Sequence, residues 1–246
     1  MKMRIQRALA RAGVASRRGA EEIVAAGRVQ VNGAPAQIGQ SVDPATDRIS
    51  VDGVAVGQPA ATQWIVLNKP SGVMTTKTDP GGRRTVFEYV PQVPGLTYAG
   101  RLDYLTEGVL LLTNDGEAIH ALLHPSREVE RTYVATVTGD AGKAVTEAKR
   151  GVMLPDGMVK LTDVTAQPVG GGRWEFTVSI TEGRNREVRR LCKALGLFVE
   201  KLVRVRFGPV TLGKLAPGEW RPLAQKEVDI INALARTPRQ GKNGTP

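Results

Sequence analysis

The sequence predicts an α+β chain in two parts: a small helix-helix-strand unit, then a larger domain on a mixed or antiparallel β-sheet flanked by helices. Three observations carry that prediction. The first 60 residues hold two short amphipathic helix patterns ahead of one alternating strand. Beyond them strand patterns dominate, and several follow one another with no helix between, which argues against a doubly wound parallel sheet. Between the two parts, residues 51–63 (VDGVAVGQPAATQ) are small, apolar and glycine-rich, and read as a terminal strand followed by a linker.

Taken in order, Ile5, Ala8, Leu9 and Ala12 fall at helical spacing, and Gly13 supplies the stop. Ser16 caps a second helix carrying Ala20, Ile23 and Val24, which ends at Gly27. Arg28-Val29-Gln30-Val31 alternates as a strand, and Asn32-Gly33 signals a type I′ hairpin. In the larger domain QWIVLNKP, TYVATVTG, KLTDVTAQPV, RWEFTVSI and FVEKLVRVRFGPVTL read as strands; 115–123, about 142–150 and 186–195 read as helices. Val109-Leu110-Leu111-Leu112 reads as a strand buried on both faces. Asn114 and Glu117 are expected to form a capping box opening a helix that Pro125 stops, with Asp103 and Glu107 in the loop feeding the strand. The expected domains are therefore 1–60 and 61–235. From 236 on, the polar, basic stretch RTPRQGKNGTP has no periodicity and reads as a disordered tail, 236–246.

Bulk properties narrow the function. Of 246 residues 41% are hydrophobic, and no apolar stretch approaches 18 residues, so a globular protein without a membrane span is expected. The start, MKMRIQR, has no apolar core of a secretion signal, and one cysteine excludes an internal disulfide; both fit a cytoplasmic location. Net charge is +10, in the range of nucleic-acid binders. The charge is clustered: residues 184–206 carry Arg184, Arg186, Arg189, Arg190, Lys193, Lys201, Arg204 and Arg206 against Glu187 and Glu200. Aromatics make up only 4%, which disfavours a base-stacking platform and favours recognition of phosphates and RNA shape.

Little in the chain can do chemistry. His120 and His124 are spaced for one helix face, but no further histidine exists and no metal site is expected. Cys192 sits mid-helix, where a cysteine is usually an apolar filler. DPGGRRT and VGGGRW are glycine-rich without the form of a nucleotide-binding loop, so no cofactor is expected. A carboxylate, Asp103, is the best remaining candidate. Arg17 and Arg18 open the second helix, where positive charge opposes the macrodipole at a cost of about 0.3–1 kcal/mol each; an anion bound there would explain them.

Two resemblances sharpen these readings. RIQRALARAGVASRRGAEEIVAAGRVQVNG resembles an S4 domain, a small RNA-binding module, over about residues 3–50. YAGRLDYLTEGVLLLTNDG resembles the catalytic motif of pseudouridine synthases, LNKPSGVMTT their first motif and ITEGRNREVRRLCKALG their third. With HPSREVERTYVATVTG, the pattern resembles the RsuA family, towards its RluB-type large-subunit branch. The resemblance implies isomerisation of a uridine in ribosomal RNA, 23S by that lean, by a monomer without cofactor or metal. It implies Asp103 as the catalytic carboxylate, Arg189 as its guanidinium partner and Tyr133 against the flipped base. Lys69 and Pro70 would shape the pocket floor. Arg184 and Asn185 would contact the sugar-phosphate, Arg101 would clamp the loop or a phosphate, and Arg17, Arg18, Arg28, Arg186 and Arg190 would contact RNA. Glu187 stands where several relatives carry Gln, and residues 78–84 are expected to help choose the uridine. Two rival readings are a non-catalytic S4-domain RNA-binding or ribosome-assembly factor and a glycosidase pairing Asp103 with Glu107. The first would be favoured by altered Asp103, Tyr133 or Arg189, and all three are present; the second requires a second placed carboxylate.

Overall fold

The computed structural model describes residues 2–58 and 60–236 and divides into two compact units. One comprises the chain up to Trp64 with Pro91–Thr97 and Leu112–Gly116; the other comprises the remainder.

The first unit contains β1 (Met3–Arg4), α1 (Ile5–Arg11), α2 (Arg17–Ala25), β2 (Val29–Val31), β3 (Ala34–Pro35), β4 (Ser41–Val42), β5 (Ile49–Val51) and β6 (Val54–Ala55). The Ser16 hydroxyl accepts the Gly19 amide at 3.1 Å, as its cap position requires. Asn32 and Gly33 both have positive φ (53° and 84°), the backbone of a type I′ turn. Ile5, Leu9, Ala20, Val24, Val29 and Val42 close a core between the two helices and the strands. Residues 51–63 hold the expected terminal strand, here as one arm of a hairpin. Asp52 and Gly53, with φ of 51° and 80°, make a second hairpin that adds β6 to a sheet of order β3-β2-β5-β6. Asp-Gly is itself a hairpin signal, masked here by the small residues that follow.

The second unit is organised by one mixed sheet. In chain order it has β7 (Trp64–Lys69), β8 (Thr97–Ala99), β9 (Thr106–Thr113), α3 (Gly116–Leu123), β10 (Arg131–Thr138), α4 (Ala141–Ala148) and the hairpin β11 (Val152–Leu154) and β12 (Gly157–Val159). There follow β13 (Asp163–Gly170), β14 (Arg173–Ile180), α5 (Glu187–Ala194), β15 (Phe198–Phe207), β16 (Val210–Thr211), β17 (Trp220–Pro222) and α6 (Gln225–Arg236). The sheet runs β13-β14-β10-β15-β9-β7-β17, with β15 and β9 parallel and the β13-β14, β10-β14, β10-β15 and β7-β17 pairs antiparallel. Phe176, Val178, Ala135 and Leu202 from the strands pack with Ala144 and Ala148 of α4 and Leu191 and Cys192 of α5. Val109, Leu110, Leu111 and Leu112 are fully buried, as a central strand covered on both faces demands.

Two local expectations change. Glu107 lies inside β9, not in the loop, and pairs with Lys201 at 3.2 Å, so the strand begins only three residues after Asp103. Helix α3 starts at Gly116, which makes Asp115 the residue before its first turn. The Asn114 amide instead accepts from Gln63 N–H and donates to the Ala61 carbonyl, both at 2.9 Å. Helix α6, which buries Ile231, the β11–β12 hairpin and the short β17 went unread. Apart from Arg236, the last residue of α6, the expected tail 236–246 lies outside the described residues.

Candidate active site

Asp103 is half-buried in the short loop before β9 and borders a cavity of about 190 Å³. Three side chains hold that loop by its backbone. Ahead of Asp103, the Thr75 hydroxyl donates to the Leu102 carbonyl at 2.9 Å and accepts the Leu102 amide at 3.4 Å. Behind it, the buried Lys69 ammonium donates to the carbonyls of Tyr104 (3.2 Å) and Thr106 (3.0 Å), and to that of Pro70 (2.9 Å). From α5, Arg189 donates to the Leu105 carbonyl at 3.1 Å. The Asp103 carbonyl closes the turn by accepting the Thr106 amide at 3.0 Å. Neither Lys69 nor Pro70 lines the cavity: Lys69 holds the loop that carries the carboxylate, and the Pro70 carbonyl accepts from its ammonium.

The expected ion pair between Asp103 and Arg189 is absent: among the described residues the Asp103 carboxylate has no ion-pair partner. The reason is geometric. Arg189 reaches the loop but ends on the Leu105 carbonyl, while Asp103 opens onto the cavity and is half-exposed, so it needs no partner to stay out of an apolar interior. Burial pushes the Arg189 guanidinium down from its ordinary value, and Arg186 adds to this; the Asp103 charge pulls the other way.

Tyr133 on β10 lines the same cavity. Arg131, two residues earlier on the same face, and Arg204, opposite Tyr133 on β15, are only 8% and 3% exposed. Arg131 donates to the Thr181 and Glu182 carbonyls at 2.9 and 3.0 Å. Arg204 donates through Nε to the Val109 carbonyl (2.8 Å) and through Nη1 to the Tyr133 hydroxyl (3.4 Å). Both guanidinium carbons sit over the Phe207 ring, 4.9 and 4.8 Å from its centroid. Burial, then the like charge of Arg204, lowers the Arg131 pKa from its usual value. Gly108, paired with Arg204 across the parallel strands, has φ 104°, and a Cβ there would lie 2.2 Å from the Arg204 carbonyl oxygen. Only glycine allows β9 and β15 to approach so closely.

The basic segment before α5 divides. Asn185 and Arg186 are exposed at the cavity, as is Arg101 from the Asp103 loop. Arg184 is different: Nε meets Glu182 (2.6 Å), Nη1 the Asp156 and Gly157 carbonyls (3.2 and 3.1 Å), Nη2 the Met158 carbonyl (3.0 Å). Most of its donors meet Glu182 and the turn of the β11–β12 hairpin, while the side chain also lines the cavity. Arg190 likewise pairs with Asp156 at 2.8 Å. Glu187 is buried, accepts the Arg184 amide at 3.0 Å, and has its pKa raised by that burial. In the first unit Arg17 and Arg18 are exposed on the first turn of α2, and Arg28 is held bidentate by Asp52 at 2.5–3.1 Å. The rings of His120 and His124 stand 5.7 Å apart, but His124 Nδ1 engages Ser126, and no group of three metal-ligating side chains forms among the described residues.

The site thus offers a half-buried carboxylate on a loop fixed at three points, lining one cavity with an aromatic hydroxyl that is backed by buried positive charge. Sequence reading missed Arg131 and Arg204. Arg131 was legible from its spacing to Tyr133; Arg204 was not, because its position depends on strand register.

A model of the RNA pseudouridylate synthase family matches residues 63–194, and a model of the S4 domain matches residues 3–49. The chain belongs to the RNA pseudouridylate synthase family and carries an S4 domain ahead of that region. Among its relatives, the ribosomal large subunit pseudouridine synthase B of Pseudomonas aeruginosa is 44% identical over 239 residues, covering 93% of this chain and 61% of that protein. The protein of the same name from Vibrio cholerae is 43% identical over 246 residues, covering 95% and 75%. The chain therefore spans less than two thirds of the Pseudomonas relative's length. A crystal structure of a pseudouridylate synthase superposes with a TM-score of 0.62 at 26% identity, over 93% of this chain and 99% of that one.

Proposed function

We propose that this chain converts a specific uridine of ribosomal RNA to pseudouridine, with large-subunit 23S RNA as substrate. The observation that carries the reading is the Asp103 loop, anchored by Thr75, Lys69 and Arg189, with Asp103 and Tyr133 lining one cavity sized for a flipped base. The N1–C1′ bond of the uridine breaks, the base turns, and C5 joins C1′. Asp103 acts at the sugar, as nucleophile at C1′ or as base at C2′; both need the same ionised carboxylate within reach of the ribose. Tyr133 stacks on the extruded base, a step that removes it from its own stack. Arg101, Asn185 and Arg186, exposed beside the cavity, hold the neighbouring phosphates, and Arg17 and Arg18 engage RNA through the S4 domain. Domain limits of 1–60 and 61–235, a monomeric state and a cytoplasmic location complete the reading. In support, no helix among the described residues is long and apolar enough to cross a membrane.

Mapping pseudouridines in ribosomal RNA from a strain lacking this gene tests the substrate. One missing site in 23S RNA, restored by the purified chain on the unmodified RNA, is expected. An unchanged pseudouridine map would contradict the reading.

A further inference from the structure

The uncompensated charge behind Tyr133 has a use in this reaction. Arg204 is almost wholly enclosed, has no ion-pair partner among the described residues, and buries Nη2 with no hydrogen-bond partner at all. Enclosing a guanidinium in this way is unfavourable unless something repays it, because a buried charge is normally paired. Its neighbours repay only part. Nε has the Val109 carbonyl, and the cation rests on Phe207 beside a second buried guanidinium, Arg131, whose charge opposes it. A guanidinium can only donate, so the Tyr133 oxygen accepts from Arg204 Nη1 and its own O–H remains free to point onward into the cavity.

We propose that Arg204 is a positioning residue that, acting through the Tyr133 hydroxyl, stabilises the negative charge on uracil while it is detached from the sugar. The inference rests on the pseudouridine synthase reading above. When the C1′–N1 bond breaks, its electron pair leaves with the ring and spreads from N1 onto O2 and O4. C1′ is meanwhile bonded to the Asp103 carboxylate, or joined to C2′ by a double bond after Asp103 takes the C2′ proton. Both routes release the same anion. C5 then bonds to C1′ as the Asp103 ester bond breaks and frees the carboxylate, or as the proton held by Asp103 returns to C2′. Loss of the C5 proton to solvent and gain of a solvent proton at N1 complete pseudouridine. A preorganised donor backed by a buried cation favours the anion over the neutral base, the condition for accelerating the step rather than merely binding substrate.

The test compares leaving groups. A stem-loop carrying the mapped target is synthesised with uridine or 5-fluorouridine at that one position, and consumption of the starting nucleoside is followed in single turnover with the full chain. Fluorine stabilises the detached anion, so less help is needed. Arg204→Met is expected to slow uridine by about 10²-fold and 5-fluorouridine by only about tenfold, with little change in RNA affinity. Tyr133→Phe should show the same unequal loss, and the double variant little more than either single one. Equal losses on both substrates, or no loss, would overturn the inference. If Arg204→Met fails to fold by thermal melting, Arg204→Lys and Tyr133→Phe carry the same comparison. A wild-type chain that makes no pseudouridine from the uridine substrate would instead overturn the parent reading.

Discussion

The ammonium of Lys69 lies 3.0 Å from the carbonyl oxygen of Thr106 and so ties the end of β7 to the residue where β9 begins, three residues after Asp103. Burial pushes this ammonium down from 10.5 to about 8, against the opposing pull of Glu107 and Asp103. It serves three carbonyls, and a neutral amine has only two N–H groups. Single-turnover activity is therefore expected to fall as pH rises through about 8. Stability should move the other way. Between pH about 8 and 10.5 the unfolded chain holds a proton that the folded one has lost, so the penalty of burying the charge is present below 8 and relieved above it. Lys69→Met should be less active and lack the alkaline limb. A wild-type profile flat from about pH 7 to 9.5, with the RNA held folded, would contradict this role.

Gly108→Ala should damage the site without touching any side chain in it. The added Cβ would meet the Arg204 backbone, at a φ of 104° that L-residues avoid. The strands must separate, at a combined cost of roughly 2–5 kcal/mol. Urea unfolding should show that loss in the midpoint, and activity should fall with it. An unchanged midpoint would mean the parallel pairing is looser than its register implies.

Much of the architecture could be read from local pattern. The Ser16 cap, the Asn32-Gly33 turn and the doubly buried run Val109–Leu112 are each set by residues adjacent in sequence. What escaped depends on distant pairing. Glu107 looked like loop because its strand starts beside Lys201, far along the chain. Nothing in the stretch TEGRNRE reveals that the turn at 156–158 will hold Arg184 at the cavity. Arg204 belonged to a basic run until register placed it against Tyr133. The Asp103–Arg189 pairing was a resemblance carried over, and in this chain the arginine stops at the loop backbone.

Replacing Arg17 and Arg18 with Ala should weaken RNA binding more than it slows reaction on saturating substrate. Each lost phosphate contact should reduce the salt slope of log K by about 0.7–0.9. The two side chains are exposed on α2, so the fold should be untouched. An identical slope in variant and wild type would remove that helix from the RNA interface.

Tyr133→Phe keeps the ring and should keep binding of the flipped base, yet lose turnover by about 10²–10³-fold, because the hydroxyl held by Arg204 is gone. Tyr133→Ala should lose stacking as well, worth about 1–3 kcal/mol. Equal activity of the Phe variant and wild type would confine Tyr133 to stacking.

The central claim is that Asp103 does the chemistry, and the direct measurement is pseudouridine formed by Asp103→Asn on the mapped rRNA target. The amide has nearly the shape of the carboxylate but cannot serve as nucleophile or base. Because the Asp103 carboxylate has no ion-pair partner among the described residues, folding and RNA affinity should survive the change. The expected result is RNA bound with wild-type affinity and no pseudouridine after many wild-type turnover times. Measurable pseudouridine from the Asp103→Asn variant, with its substituted amide verified intact by mass spectrometry, would contradict the account.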